Sequence, residues 1–352
     1  MEQENQENQE PEKSKFEKIY NKNYKKLLII PAVLLALSLI YIFYFYAQTG
    51  DIINKDVSLT GGTTISLFTD TSADEIETQL SESLEDFSIR VISDNSGKQI
   101  QIVITVPEQH TEELENALEE ILGEKLTSEN SSKESTSSSL GQDFYKQLVV
   151  AVLLAFFWMA AVVFLIFAKG KKIKFYTVVL NIFLGFFMGL IFFSINIILS
   201  IIILAAISSL LIYIYVKNSV PAFAVMLSAF ADITMTVALV NLLGMKISAA
   251  GIVAFLMLIG YSVDTDILLT TRLLKRRESI NAALYRAFKT GTTMTLTSII
   301  AIIAALIAIY SFSTLLNQIF IILLIGLGFD LFNTWITNAS IIKWFTESQA
   351  RE

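Results

Sequence analysis

From Leu148 onward the chain is almost continuously apolar. Its runs have the length of about 20 residues that a helix needs to cross a hydrocarbon core of roughly 30 Å. A segment in lipid must satisfy its own backbone hydrogen bonds, so each such run is expected to be helical. The runs fall near 148–168, 175–194, 196–216, 219–243, 248–271, 289–310 and 316–340, and one more, LLIIPAVLLALSLIYIFYFYA, occupies 27–47. Eight spans follow. Only Ser194-Ile195-Asn196 separates the runs 175–194 and 196–216, so 175–216 reads as a tight or re-entrant extra hairpin. Composition agrees, with 53% hydrophobic and 17% charged residues against about 45–50% and 25% in soluble domains.

The basic residues orient the spans. Lys25 and Lys26 precede the first run, and Tyr41, Tyr44 and Tyr46 lie toward its far end, where aromatic rings favour the interface. An even number of spans starting inside puts Lys169–Lys174, Lys217 and the run Arg272–Lys289 in the cytoplasm, as the positive-inside rule requires. The loop residues Arg272, Lys275, Arg276 and Arg277 directly follow a span. They read as topology determinants, headgroup contacts or a partner surface, not as a nucleic-acid site. Residues 1–26 are polar, mix Glu and Gln with Lys, and lack a small-residue cleavage pattern; they are expected to be a disordered cytoplasmic tail. Residues 346–352 are expected to form a second one. The expected location is the cytoplasmic membrane.

Residues 48–146 differ in kind, being polar and acidic, and the orientation above places them outside. Val57–Phe68 reads as a strand, Asp74–Phe87 as an amphipathic helix, SIRVIS and QIQIVITV as strands flanking a turn at Asp94–Gly97, and Glu112–Leu122 as a second helix. That order suggests a small ferredoxin-like α+β domain. The Ser-rich stretch 128–139 reads as a linker or a weak last strand. The bundle is expected over 147–345.

Acidic residues inside the spans carry the functional signal. Asp232, Asp264, Asp266 and Asp330 all lie within apolar runs, where a charge costs on the order of 2.5–3.5 kcal/mol on insertion scales and so faces a bundle interior or water. Ser228, Asp232 and Thr236 share one helix face, as do Ser262, Asp266 and Thr270, and Gly326, Asp330, Thr334 and Asn338. Thr290, Thr293 and Thr297 form a fourth stripe. Four such stripes imply a polar seam through the bundle, although Ser, Thr and Asn also serve simply to hold helices together. Asp264 and Asp266 are about 200° apart around a helix, so one is expected at the seam and the other capping or pairing toward the cytoplasm. Carboxyls removed from water can exchange protons near neutral pH, which makes proton coupling chemically available.

Other chemistries find no support. The chain has no cysteine, and its single histidine, His110, lies in the acidic segment; no metal site is expected. No phosphate-binding Gly-x-x-x-x-Gly-Lys loop and no nucleophile–base pair is visible. No cofactor and no enzymatic activity are expected.

Three segments carry a resemblance: DVSLTGGTTISLF, SVPAFAVMLSAFADITMTVALVNLLGMKIS and LIGYSVDTDILLTTRLLKRRESINAALYRAFKTGTTMTLTS. With YKKLLIIPAVLLALS and TWITNAS they cover most of the chain outside 169–214. In this order they resemble the SecD/SecF family of the resistance-nodulation-division superfamily, and in particular its archaeal SecF branch. The resemblance implies a six-span bundle, a SecD-like membrane partner, an accessory role beside the Sec translocon, and unfolded or emerging proteins as substrates. It also implies use of the proton gradient with movement of the external domains. By position, Gly61 and Gly62 match the signature turn, Gly260, Tyr261 and Ser262 the signature span, and Asp232 a membrane aspartate. Bacterial members read Gly-Tyr-Ser-x-Asn-Asp-Thr, so their aspartate falls on Thr265 here, between Asp264 and Asp266, and their arginine in the next span falls on Thr293.

The sequence thus reads as a polytopic α-helical membrane bundle, with six family spans, an extra hairpin and a small external α+β domain, acting as a protein-export subunit. A transporter subunit of the same superfamily and a structural assembly factor are the rival readings.

Overall fold

The computed structural model describes residues 23–84, 87–93, 98–193, 197–309 and 314–350. The expected turns at Asp94–Gly97 and Ser194–Asn196 lie outside them. The first span, α1 (Ile29–Thr49), stops at Gly50, whose left-handed φ of 77° lets its N–H reach the Tyr46 carbonyl at 2.8 Å. A helical turn, α2 (Val57–Thr60), leads into β1 (Gly62–Leu67), α3 (Ala73–Ser83), β2 (Ser88–Ser93), β3 (Gln99–Val106), α4 (Thr111–Leu122) and β4 (Ser131–Thr136). The strands form one antiparallel sheet in the order β2-β3-β1-β4. This is a βαββαβ arrangement, as the β-α-β-β-α order read from the sequence suggested, with β4 completing it. The period of two in β3 puts Ile102, Ile104 and Val106 on one face, where they meet Ile65 and Leu67 of β1 and are covered by Ile76, Leu80, Leu114 and Leu118 of α3 and α4. Each fully buried side chain of this kind contributes about 1.5–3 kcal/mol of transfer free energy.

The membrane part follows as α5 (Ser138–Phe167), α6 (Lys171–Phe193), α7 (Ile197–Asn218), α8 (Val220–Leu242), α9 (Ala249–Leu274), α10 (Ile280–Ile309), α11 (Thr314–Asn333), a π-helical turn (Thr334–Asn338) and α12 (Ala339–Gln349). Seven helices among the described residues are long and apolar enough to cross a membrane; the apolar helix Ile202–Asn218 is shorter. The extra segment 175–216 is two helices that pack on α5 and α8, with Leu184, Met188, Leu211 and Tyr215 buried against Phe164, Val225 and Met226. Asn181 donates to the Tyr215 hydroxyl at 3.1 Å within that pair.

The external domain is stitched to the bundle at two places. Asp56 N–H reaches the Ile247 carbonyl at 2.9 Å and Ile247 N–H the Asn54 carbonyl at 2.6 Å, while the Asn241 amide bonds Asn54 N–H and the Ile52 carbonyl. The strap after α1 is thereby tied to the loop between α8 and α9. The second place is Gly61, whose φ of 84° is open to glycine and costly for other residues. A Cβ there would collide with the backbone of Ser138, and one on Gly141 with the backbone of Gly61, so the two chain segments touch backbone to backbone. Glu108 completes the joint by accepting from Ser138 N–H at 2.9 Å and from its hydroxyl at 2.7 Å, supplying partners to the first turn of α5.

Several expectations are corrected. Val57–Phe68 is not one strand: its first residues make a helical turn because Asp56 offers its carbonyl to Leu59 and Thr60. Of the two readings of 128–139, linker or weak last strand, the second holds: it contains the edge strand β4, which backbone pairing to Gly62–Leu67 holds although it has no apolar residue to bury. The bundle does not begin at 147, since α5 runs unbroken from Ser138. α10 starts at Ile280 and takes in half of the basic run, because Ala283, Leu284 and Ala287 give it a packed face. Residues 1–22 and 351–352 of the two expected tails lie outside the described residues; their described parts are helical up to Gln349. Residues 23–26 are helical, and Tyr24 donates to Glu347 at 2.6 Å while Lys25 sits 5.2 Å from the Trp344 ring, which brings residues 23–26 and α12 to the same end of the bundle.

Two outcomes are expected at the joint. Gly61→Ala destabilises it by at least about 1–3 kcal/mol, the cost of a strained backbone position, read as easier proteolysis near Ser137. The Ser138 hydroxyl, and then its N–H, hold the Glu108 carboxyl below the ordinary glutamate range by bonding its charged form. This stabilisation is complete above the ordinary glutamate range and is lost as the pH falls through the lowered value. Acid should loosen the wild-type joint, and Glu108→Gln should remove that pH dependence.

Candidate functional site: a buried carboxylate seam

α8 is the most enclosed helix. Ser219 caps it by accepting from Ala222 N–H at 3.2 Å, and Pro221 sits in its first turn, where no intrahelical donor is needed. Ala222, Ala224, Ala229, Ala231 and Ala238 are buried along it; such small residues let membrane helices approach closely. That close approach brings the polar faces of α8, α9 and α11 together.

Asp232, with no exposed surface, is the hub. One carboxylate oxygen accepts from the Ser262 hydroxyl at 2.6 Å and the other from the Asn333 amide at 2.7 Å, so this one side chain joins all three helices. Asp266, also fully buried, accepts on one oxygen from the Thr334 hydroxyl and the Asn338 amide, both at 2.8 Å. Thr334 also lies 3.2 Å from Asp330. Thr337 donates to the Asn333 side-chain amide oxygen Oδ1 at 3.1 Å. The three carboxyls lie within electrostatic reach of one another. Asp266 and Asp330 each keep a second oxygen, and Asn338 its side-chain amide oxygen, buried without a partner at hydrogen-bond distance, while the Ser228 hydroxyl beside Asp266 is a donor left over. These three acceptors outnumber that donor. An arrangement short of donors is one that gains from taking up a proton. Among the described residues no three acidic or histidine side chains are disposed to hold one metal ion.

Thr334 and Asn338 lie in the π-helical turn. Such single turns replace the i→i−4 pattern by a wider one and are frequent at functional sites.

The structure sorts the expected residues. Asp232, Asp266, Asp330, Ser262, Thr270, Thr334 and Asn338 meet. Asp264 does not: it is exposed on the opposite face of α9 and neither caps nor pairs with a described residue. The threonine stripe of α10 does not reach the seam either. Thr290, Thr293 and Thr297 bond carbonyls of their own helix, and Thr293 and Thr297 face outward. The packed face of α10 is instead Ala283, Ala287, Gly291 and Thr295. The signature span is split, with Ser262 at the seam and Gly260 and Tyr261 outside. In the basic loop Arg272 donates to the Arg286 carbonyl at 3.0 Å and to Thr290 at 2.9 Å, Arg276 closes on the Leu273 carbonyl at 3.0 Å, and Lys275 and Arg277 are exposed. Asn333 was not anticipated. Its position three residues after Asp330, on the same helix face, was the available signal. His110 bonds Glu113 at 2.7 Å and stands apart from the seam.

This geometry lies within the residues 193–348 matched by the family model described as Protein export membrane protein SecD/SecF, C-terminal. The protein-export membrane protein SecF of Methanocaldococcus jannaschii is 33% identical over 94% of this chain and 99% of its own length. The chain belongs to the SecF family of protein-export membrane proteins. It is a multi-pass membrane protein. SecF of Pyrococcus furiosus is 29% identical over 95% of each chain. Among solved structures, SecDF from Thermus, described as a translocon-associated membrane protein, matches with a TM-score of 0.54 at 15% identity. The match covers 96% of this chain and 39% of that one, so the fold corresponds to a part of the longer SecDF chain.

Removing one donor should expose the cost of the seam. Asn333→Leu, which leaves an Asp232 oxygen unpaired, is expected to lower stability in detergent by about 1–3 kcal/mol, measured as a shifted thermal unfolding midpoint. The same change at exposed Thr293 should leave it unmoved.

Proposed function

We propose that this chain serves protein export by pairing with a SecD-like membrane subunit beside the Sec translocon. Its seam takes up and releases protons as the external domain acts on emerging, unfolded polypeptides. The observation that carries this reading is the buried triad Asp232, Asp266 and Asp330, shared by three helices and short of donors. Protonation changes how strongly these carboxyls bind Ser262, Asn333, Thr334 and Asn338, and hence how α8, α9 and α11 are held. The outward end of α8 connects through Asn241 and Ile247 to the strap below the external domain. A rearrangement at the seam thus has a bonded route to the region that meets the exported chain.

The orientation in this reading puts the chain in the cytoplasmic membrane with residues 48–146 outside. It is supported by Lys169–Lys174, Lys217 and Arg272–Lys289 all following on the side where Tyr24 meets α12. The nearest bacterial logic needs an arginine where Thr293 stands. Thr293 faces outward here, so in this chain the seam works without a cation from α10.

The double variant Asp232→Asn and Asp266→Asn should assemble with its partner normally while losing gradient-dependent export in inverted membrane vesicles. Normal export by that variant would overturn the proton step, and loss of assembly would make the triad structural.

A further inference from the structure

The polar stripes of the seam all stop at one level on their outward side. On α9 the position one turn outward of Ser262 is Leu258, and on α11 the position one turn outward of Asp330 is Gly326. Leu258 is fully buried, and a Cβ on Gly326 would fall on both of its terminal methyl groups. A helix interior disfavours glycine relative to alanine, so Gly326 has a packing reason: it is the notch that seats Leu258. Thr236, one turn outward of Asp232 on α8, turns its hydroxyl to the Asp232 carbonyl at 2.6 Å and offers nothing to the seam. Beyond this level Phe255, Val240 and Ile322 continue the closure as one buried apolar cluster with Leu258. The inward side differs. There Thr270 and Asn338 extend the seam, and Ser340, Lys343 and Thr346 are buried farther toward the cytoplasmic end of α12.

We infer that Leu258, seated on Gly326, is the gate that closes the carboxylate triad to the outside. Water and protons then reach the triad from outside only when α9 and α11 part at this contact. Resting on the proposed proton step, this gate is what keeps that step from being a leak. A triad open to both sides at once would dissipate the gradient it uses, so one side has to be shut. An apolar constriction does this because it offers water no hydrogen bond. The same two helices are clasped at their outer ends. Gln318 of α11 accepts from Ser248 N–H at 3.1 Å and from its hydroxyl, and donates to the Lys246 carbonyl. Ile247, between those two residues, carries the strap from the external domain. A pull on the strap therefore acts where α9 is held to α11, ten residues before Leu258 and about 15 Å outward of it along the helix.

The chain has no cysteine, so a single thiol at the seam reports on access. In right-side-out membrane vesicles, Ser262→Cys should not be blocked by silver ions added outside, as read by later maleimide labelling in detergent. Adding Leu258→Ala should let silver block it, and so should adding Gly326→Ala, whose methyl group displaces Leu258 from its notch. In proteoliposomes holding the export complex and given an acid exterior, Leu258→Ala alone should raise inward proton flux at least about tenfold, the effect of only about 1.4 kcal/mol taken off a barrier. Asp232→Asn with Asp266→Asn should return that flux to the wild-type level. Block of Ser262→Cys with Leu258 and Gly326 in place, or no block after either substitution in a complex that still assembles, would overturn the gate. A raised flux that survives loss of both aspartates would overturn it too, because the path opened would lie apart from the triad. Block that appears without any rise in flux would support the gate and overturn the proton step, so the two readings fail separately.

Discussion

A carboxylate inside a membrane helix has to be furnished with donors by the protein, because the hydrocarbon offers none. In this chain Asp232 obtains them from two other helices, Ser262 on α9 and Asn333 on α11. Much of the bundle follows from that demand. The alanines of α8 admit close neighbours, the π-helical turn presents Thr334 and Asn338 to Asp266, and the polar residues left over still outnumber their partners. The site is therefore as much a packing solution as a chemical one, and neither can be altered alone.

The external domain stands in a comparable relation to the bundle. It is a conventional α+β unit with its own core. Its attachment depends on contacts that tolerate no added atoms, Gly61 against Ser138 and Gly141 against Gly61. Backbone-to-backbone contact of this sort transmits displacement without side-chain slack. The strap tied to Ile247 adds a second attachment near the outward end of α8. Two short tethers, one to α5 and one to the α8–α9 loop, restrict how the domain can move relative to the seam.

Much of this was legible in the sequence, and the failures have physical causes. Spacing of four residues predicted the polar faces of α8, α9 and α11, since helical geometry alone decides which side chains share a face. The same argument misled for Thr290, Thr293 and Thr297, because a threonine hydroxyl can bond its own helix backbone and then needs no partner. Choosing between Asp264 and Asp266 required knowing which side of α9 meets α8, a tertiary fact. Strand β4 was ambiguous because a polar edge strand has no hydrophobic alternation to reveal it. The Glu108–Ser138 cap and the Gly61–Gly141 contact join residues distant in sequence, and no local pattern marks them.

The central claim is that Asp232, Asp266 and Asp330 act as one titrating unit that holds three helices. Infrared difference spectroscopy of the reconstituted complex, with aspartate isotopically labelled and the pH stepped across the neutral range, addresses it directly. The account predicts a carboxyl band that appears on acidification and that shifts, beyond simple subtraction, when any one of the three is changed to Asn. Bands that vanish one at a time, leaving the others unmoved, or no aspartate band in that range, would contradict it.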